Sequence, residues 1–176
     1  WIGDSRRIRR ICELRGKPFG NDHLDAFLNA AVDAALAMQT FTLAAEAKGL
    51  GCCPISVVRN HIDAVADILE LPLYTFPVAG LCVGWPAQNG FVSMRLPPKV
   101  NVHYDRYDDW DLAEELEGYD KRRNARFAIP EPSRRMTDVY GEAAFYGWSE
   151  DKARQVSTPE RERLGRFVRA RGVRTD

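Results

Sequence analysis

Gly49-Leu50-Gly51-Cys52-Cys53-Pro54-Ile55-Ser56-Val57-Val58-Arg59-Asn60 is the most informative stretch of this chain, together with Thr75–Trp85 downstream. A long apolar run, Leu24–Lys48, precedes it and reads as a helix opened by Asn21 or Asp22. Lys48 in its last turn suits the helix dipole, and Gly49 just beyond is a C-terminal stop. Gly49-Leu50-Gly51 then bends the chain, and Cys52–Val58 follows as a short extended or looped piece. Asn60 is expected to cap the next helix, in which Ile62, Val65 and Leu69 share one face. Leu71-Pro72 ends that helix. Thr75–Trp85, apolar with Gly80 and Gly84, reads as a core strand.

Outward from this centre, Pro86–Met94 reads as a loop and Arg95-Leu96-Pro97-Pro98 as extended chain. Lys99–Tyr104 suits another short strand. Trp110–Arg126 is an expected helix, with Glu117 and Lys121 at four-residue spacing. Pro130–Gly147 has no clear periodicity and is expected to loop over a surface, and Ser149 could cap a helical turn. Thr158-Pro159-Glu160 opens a last helix, striped by Leu164, Phe167 and Val168 and stopped at Gly172. At the other end, Trp1-Ile2-Gly3 resembles the end of a buried strand, and Asp4-Ser5 caps a helix through Leu14. A start in mid-element without Met is expected of a fragment, a processed product or a sequence lacking its N-terminal portion. Leu24–Lys48 has weak polarity on every side, as in a helix buried nearly all round in a domain centre or a dimer interface.

The 176 residues suit one domain with a real core. Charge is neutral overall but uneven: 11 basic against 17 acidic residues up to position 120, and 14 against 8 beyond it. Attraction between the two parts, attraction to a partner subunit, or a site for an anionic ligand would each use that asymmetry. Nucleic acid is disfavoured, because Glu142, Glu150, Asp151, Glu160 and Glu162 interrupt the basic tail. Cys12, Cys52, Cys53 and Cys82 have neither zinc spacing nor a Cys-x-x-Cys pair, and read as reduced thiols of a cytoplasmic protein. No metal site is expected. The longest apolar stretch carries Asp33 and Glu46, so no membrane span is expected. His23, His61 and His103 suggest surface or cap positions rather than a triad.

The ordered set of Gly49-Leu50-Gly51, Arg59-Asn60, Gly80-Leu81-Cys82-Val83-Gly84-Trp85-Pro86 and Ser93-Met94-Arg95-Leu96-Pro97 resembles the flavin-dependent nitroreductase family. The nearest likeness is to NADPH-dependent, oxygen-insensitive nitroreductases and flavin reductases. The resemblance implies an α+β fold, a central mixed or antiparallel sheet flanked by helices with a helical C-terminal extension. Residues 1–105 would form a partial core, and 106–176 the extension, packed on the core or on a partner subunit. It implies a homodimer with FMN at the interface, and hydride passing from NADPH or NADH to a nitroaromatic, a quinone or free flavin by a ping-pong scheme. The flavin carries the chemistry, so no catalytic acid or base is named.

By the same resemblance, Pro54, Ile55, Ser56 and Val57 would line the flavin ring. Family members often have Ile-Gly-Gly where this chain has Ile55-Ser56-Val57, so a positive φ at Val57 would defeat that assignment. Ser93 and Arg95 would hold the flavin phosphate; the serine stands where the family segment often has lysine, which implies weaker flavin retention. Arg59 and Arg135 are weaker candidates for the nicotinamide nucleotide, the latter because Arg134-Arg135 precedes Trp148-Ser149 as in the family. Trp85 and Phe91 could edge a substrate pocket. The family's N-terminal Arg-Ser-x-Arg motif has no counterpart in these residues. The alternative reading is therefore a non-catalytic flavin-binding or structural fragment that needs a complementary N-terminal segment.

Overall fold

A computed structural model describes residues 1–88 and 90–176. The chain forms two compact units. One comprises residues 1–89 with 160–176, and the other residues 90–159.

The first unit begins with β1 (Ile2–Asp4), antiparallel to β3 (Thr75–Pro77) with Gly3 opposite Phe76. Only glycine fits at position 3, because a Cβ there would lie 2.5 Å from the Phe76 ring. Helix α1 (Arg6–Leu14) follows; Asp4 accepts from the Arg7 amide at 3.0 Å, while the Ser5 hydroxyl donates to the Tyr74 carbonyl at 3.1 Å. Helix α2 spans Leu24–Glu46. His23 caps it, its Nδ1 accepting from the Asp25 amide at 3.3 Å, in place of the expected Asn21 or Asp22.

β2 (Gly51–Ile55) pairs antiparallel with β4 (Gly80–Gly84), and Cys53 stands directly opposite Cys82. Between them, residues 57–61 make a 3-10 turn that runs into α3 (Ile62–Ile68). Asn60 sits inside that turn and caps nothing, because the extra turn takes up the residues from which the sequence was expected to start the α-helix. Helix α7 (Arg163–Ala170) starts later than Pro159 suggested and returns to this unit. The core gathers Ala30, Ile62, Ala66, Phe76, Phe167, Val168 and Val173, with Phe27 stacked on Phe76 at 4.7 Å.

Within the single chain Ala26, Ala30, Ala34, Thr42 and Ala45 of α2 are buried, while Leu24, Leu28, Val32, Leu36, Phe41 and Leu43 are exposed, so of the two expected settings a domain centre does not enclose the helix all round. Small residues form the packed stripe, and the large apolar ones face outward. By length and composition α2 is also the one helix among the described residues that could cross a membrane, despite Asp33 and Glu46.

The second unit is built on α4 (Leu112–Phe127) and α6 (Trp148–Val156), with the single turn α5 (Thr137–Tyr140) between them. The expected strand at Lys99–Tyr104 is absent: residues 98–100 form a 3-10 turn that starts at Pro98. The Lys99 ammonium instead bridges Asp111 at 2.8 Å and Glu115 at 2.6 Å around the start of α4. Those two carboxylates hold it protonated well above the ordinary lysine range. Ser149 does not cap α6 with its side chain; its amide and hydroxyl both donate to the Asp120 carboxylate, the amide at 3.0 Å. Asp120 is 5% exposed and sits so close over Gly147 that a Cβ there would lie 2.4 Å from Oδ2.

Candidate functional site

Two regions hold the residues singled out from the sequence. In the first unit the Gly49 bend has φ +81, and the Trp85 side chain lies against it, 3.8 Å from where a Cβ would stand. Ile55 ends the β2–β4 ladder opposite Gly80. Ser56 follows with φ −85, and Val57 opens the 3-10 turn. Val57 is not among the residues with positive φ, so its β-branched side chain meets no backbone objection. Amides at the start of a helical turn have no acceptor within it, which leaves the Ser56 and Val57 N–H groups outside the turn's own bonding.

The guanidiniums beside the Ser56 turn are committed within the protein. Arg59 donates to the Val78 carbonyl, and burial together with the nearby Arg161 guanidinium lowers its proton affinity. Arg161 adopts a left-handed φ of +61, donates to the Ser56 hydroxyl at 3.0 Å and pairs with Glu160 at 2.7 Å. Sequence reasoning missed Arg161. It lies 105 positions from Ser56, and no local pattern links the two.

In the second unit a cleft of about 300 Å³ is walled by Ser93, Arg95, Asn101, Tyr119, Arg123 and Trp148, with Met94 and Leu96 completing it. Two of the expected residues, Ser93 and Arg95, therefore share one cleft. Tyr119 fixes its geometry. The phenol is 4% exposed, donates to the Met94 carbonyl at 3.0 Å and meets the Trp148 ring edge-on at 5.4 Å. Arg123, four residues further along α4, lies on the same helix face. Among the described residues, Arg95 makes no ion pair. Arg123, Tyr119 and Asn101 were not singled out from the sequence; the four-residue spacing of Tyr119 and Arg123 was the available signal.

Arg135 lies elsewhere in this unit. Its Nε donates to Asp151 at 3.3 Å, and its amide donates to the Tyr146 hydroxyl at 2.7 Å. Tyr146 in turn donates to Asp151 at 3.2 Å. About half of the Arg135 side chain remains exposed. Phe91 stacks on Phe127 at 5.1 Å, and both Phe91 and Trp85 are largely exposed.

Comparison with known proteins assigns the chain. Residues 16–85 match the nitroreductase family, and residues 93–176 match the nitroreductase family C-terminal domain. The chain is 40% identical over 100 residues to an FMN reductase [NAD(P)H] of Bacillus subtilis, covering 56% of this chain and 40% of that one. It is 40% identical over 87 residues to the oxygen-insensitive NADPH nitroreductase of Salmonella typhimurium, covering 49% of this chain and 36% of that one. The structure of B. megaterium NfrA1 superimposes with a TM-score of 0.82 at 31% identity, over 97% of this chain and 67% of that one. The chain belongs to the nitroreductase family. Its α+β fold is that family's, and it spans 34% to 59% of the length of curated relatives such as these.

Proposed function

We propose that this chain is part of an FMN-dependent oxidoreductase that takes hydride from NADPH or NADH and reduces nitroaromatics, quinones or free flavin in a ping-pong cycle. Relatives bear the names FMN reductase, NADPH-flavin oxidoreductase and NADPH nitroreductase, which supports the reaction class. The observation that carries the reading is that Ser93 and Arg95, expected to hold a flavin phosphate, wall the same cleft.

Each unit, taken by itself, offers groups of the kind such a cofactor needs. A phosphate needs cations and donors, and Arg95 and the Ser93 hydroxyl offer both within one cleft that contains no carboxylate among its lining residues. A flavin ring needs backbone donors near its edge, and the Ser56 and Val57 amides at the open end of a 3-10 turn are of that kind. Pro54 and Ile55 supply the adjoining wall. FMN, when bound, supplies the hydride-accepting and hydride-donating chemistry. The protein's part is to bind, to orient and to tune charge, so no side chain is assigned as acid or base.

Arg59 and Arg135 enter as secondary nucleotide contacts. Arg135 has its guanidinium partly neutralised by Asp151, which orients it and limits its strength. The outward apolar residues of α2 are read as part of a homodimer interface, since contiguous exposed apolar surface marks protein contacts. We read the protein as cytoplasmic, with a small-molecule electron acceptor and with neither nucleic acid nor membrane as partner.

The test is spectroscopic. The purified chain, loaded with FMN without oxygen, is mixed with NADPH. Bleaching of the flavin absorbance, reversed by a quinone, is expected. FMN that binds but is never bleached would favour the second reading, a non-catalytic or structural fragment needing a complementary N-terminal segment.

A further inference from the structure

The cleft walled by Ser93 and Arg95 contains a second guanidinium, that of Arg123, which the reading above does not use. The sole hydrogen bond it makes among the described residues is a long one, from Nη1 to the Phe127 carbonyl at 3.3 Å. A guanidinium presents five N–H donors in a rigid fork, so most of its donor capacity is uncommitted. Arg95 is less committed still, with no ion pair among the described residues. No carboxylate lines the cleft.

Two guanidiniums thus line one cleft with no carboxylate beside them. Several cations of the same unit are matched by carboxylates: Lys99 by Asp111 and Glu115, Arg134 by Glu142, Arg135 by Asp151, and Arg154 by Glu150. Arg106, Lys121, Arg122 and Arg126 make no ion pair among the described residues but do not line the cleft. What sets Arg95 and Arg123 apart is that they line one cleft, so a single anionic ligand there can meet both. The frame of the cleft is also fixed in advance. Tyr119 ties the Met94 backbone to α4, and Trp148 packs edge-on against Tyr119, so little reorganisation accompanies binding.

We propose that Arg123 and Arg95 form a two-armed clamp for the dianionic phosphate monoester of a nucleotide, with the Ser93 hydroxyl as a further donor. Trp148 and Asn101 then border the sugar or heterocycle attached to that phosphate. Arg123 restores from α4 the second positive charge that the serine at position 93 leaves out of the Ser93–Arg95 segment. The proposal rests on the nitroreductase reading only for the source of the phosphate, which is either the terminal phosphate of FMN or the 2′-phosphate of NADPH.

The experiment is a calorimetric titration of the whole chain and its Arg123→Gln and Arg123→Lys variants. The probes are FMN, riboflavin, 2′-AMP, adenosine and inorganic phosphate, and circular dichroism checks the fold of each variant. The unmodified chain should prefer a phosphorylated probe to its phosphate-free counterpart. Arg123→Gln should weaken that probe about 10- to 100-fold, the scale of lost charge-assisted hydrogen bonds. The phosphate-free counterpart should be unaffected, and Arg123→Lys should recover much of the loss. FMN against riboflavin identifies a flavin source, and 2′-AMP against adenosine a nicotinamide nucleotide source. If FMN binds the chain and Arg123→Gln binds it equally well, the clamp is overturned while the flavin reading stands. If FMN fails to bind but 2′-AMP or phosphate binds in an Arg123-dependent way, the clamp stands and the flavin reading falls. A folded chain that binds none of the phosphorylated probes overturns both.

Discussion

The two units are stabilised by different chemistry. Buried side chains in the first are mostly aliphatic or aromatic, centred on Phe76, Ile62, Val168 and Val173, with the hydroxyls of Ser5, Thr42 and Thr75 beside them. Those buried in the second are Tyr119, Asp120, Tyr146, Asp151 and Arg154, every one carrying a polar group with a partner. Cores of the first kind tolerate reshaping and lose stability roughly in proportion to the surface removed. Buried polar networks define geometry more sharply but fail when one member is lost. The same contrast extends to the candidate sites. Near the Ser56 turn, Arg59 and Arg161 are occupied by protein acceptors, whereas the cleft leaves Arg95 and Arg123 largely unmatched.

The largest effect expected from this contrast is in the apolar core. Phe76→Ala removes a ring that is 2% exposed and should cost about 3–5 kcal/mol, seen as a large drop in the thermal midpoint. A drop of a few tenths of a kcal/mol would mean that Phe76 does not anchor that core. In the polar unit, Asp120→Ala strips the acceptor from the Ser149 amide and hydroxyl, and should cost about 1.5–3 kcal/mol. If Asp120→Ala melts like the parent, the polar network is not what holds α4 to α6.

A smaller effect is expected at Arg135. Because Asp151 already offsets its charge, Arg135→Ala should raise KM for NADPH by less than about 10-fold, with little change for NADH. Equal changes for both cofactors would remove Arg135 from the phosphate contacts. Smallest is the Arg9–Asp22 pair at 2.5 Å, where the hydrogen bond from Arg9 depresses the Asp22 carboxyl below its ordinary range. Its contribution is present above the unfolded carboxylate pKa of about 4 and is lost as pH falls through the lower folded value. Asp22→Asn should therefore lower the unfolding free energy from urea titration slightly at neutral pH, by under about 1 kcal/mol, and make the acid decline shallower. An unchanged acid limb would show that the pair contributes nothing.

Much of the first unit was legible in the sequence because its elements follow apolar periodicity and glycine punctuation. The Gly49 stop is of this kind, whereas the expected core strand Thr75–Trp85 splits into buried β3 and largely exposed β4 in separate two-stranded sheets. Of the expected α3 stripe Ile62 is buried but Leu69 is exposed, with Ala66 taking the inward place. What the sequence pattern left open there was the facing of α2. Alanine and leucine both count as apolar, yet packing put the alanines inward and the leucines outward. The second unit was harder to read because its order comes from long-range polar contacts. Ser149 looked like a cap by local rules, but its partner, Asp120, lies 29 residues away. Lys99 looked like part of a strand, but two acidic side chains at the start of α4 claim it. Arg95 stood out through a segment resemblance, whereas Arg123 in a charged helix resembles any solvated residue until the cleft is seen.

Central to this account is Arg95 as the phosphate-binding cation of the cleft. The direct measurement is the FMN dissociation constant of the chain before and after Arg95→Ala, with riboflavin as the phosphate-free control. The expected result is a loss of about 1–3 kcal/mol for FMN and none for riboflavin. Equal FMN affinity in the two proteins would contradict it.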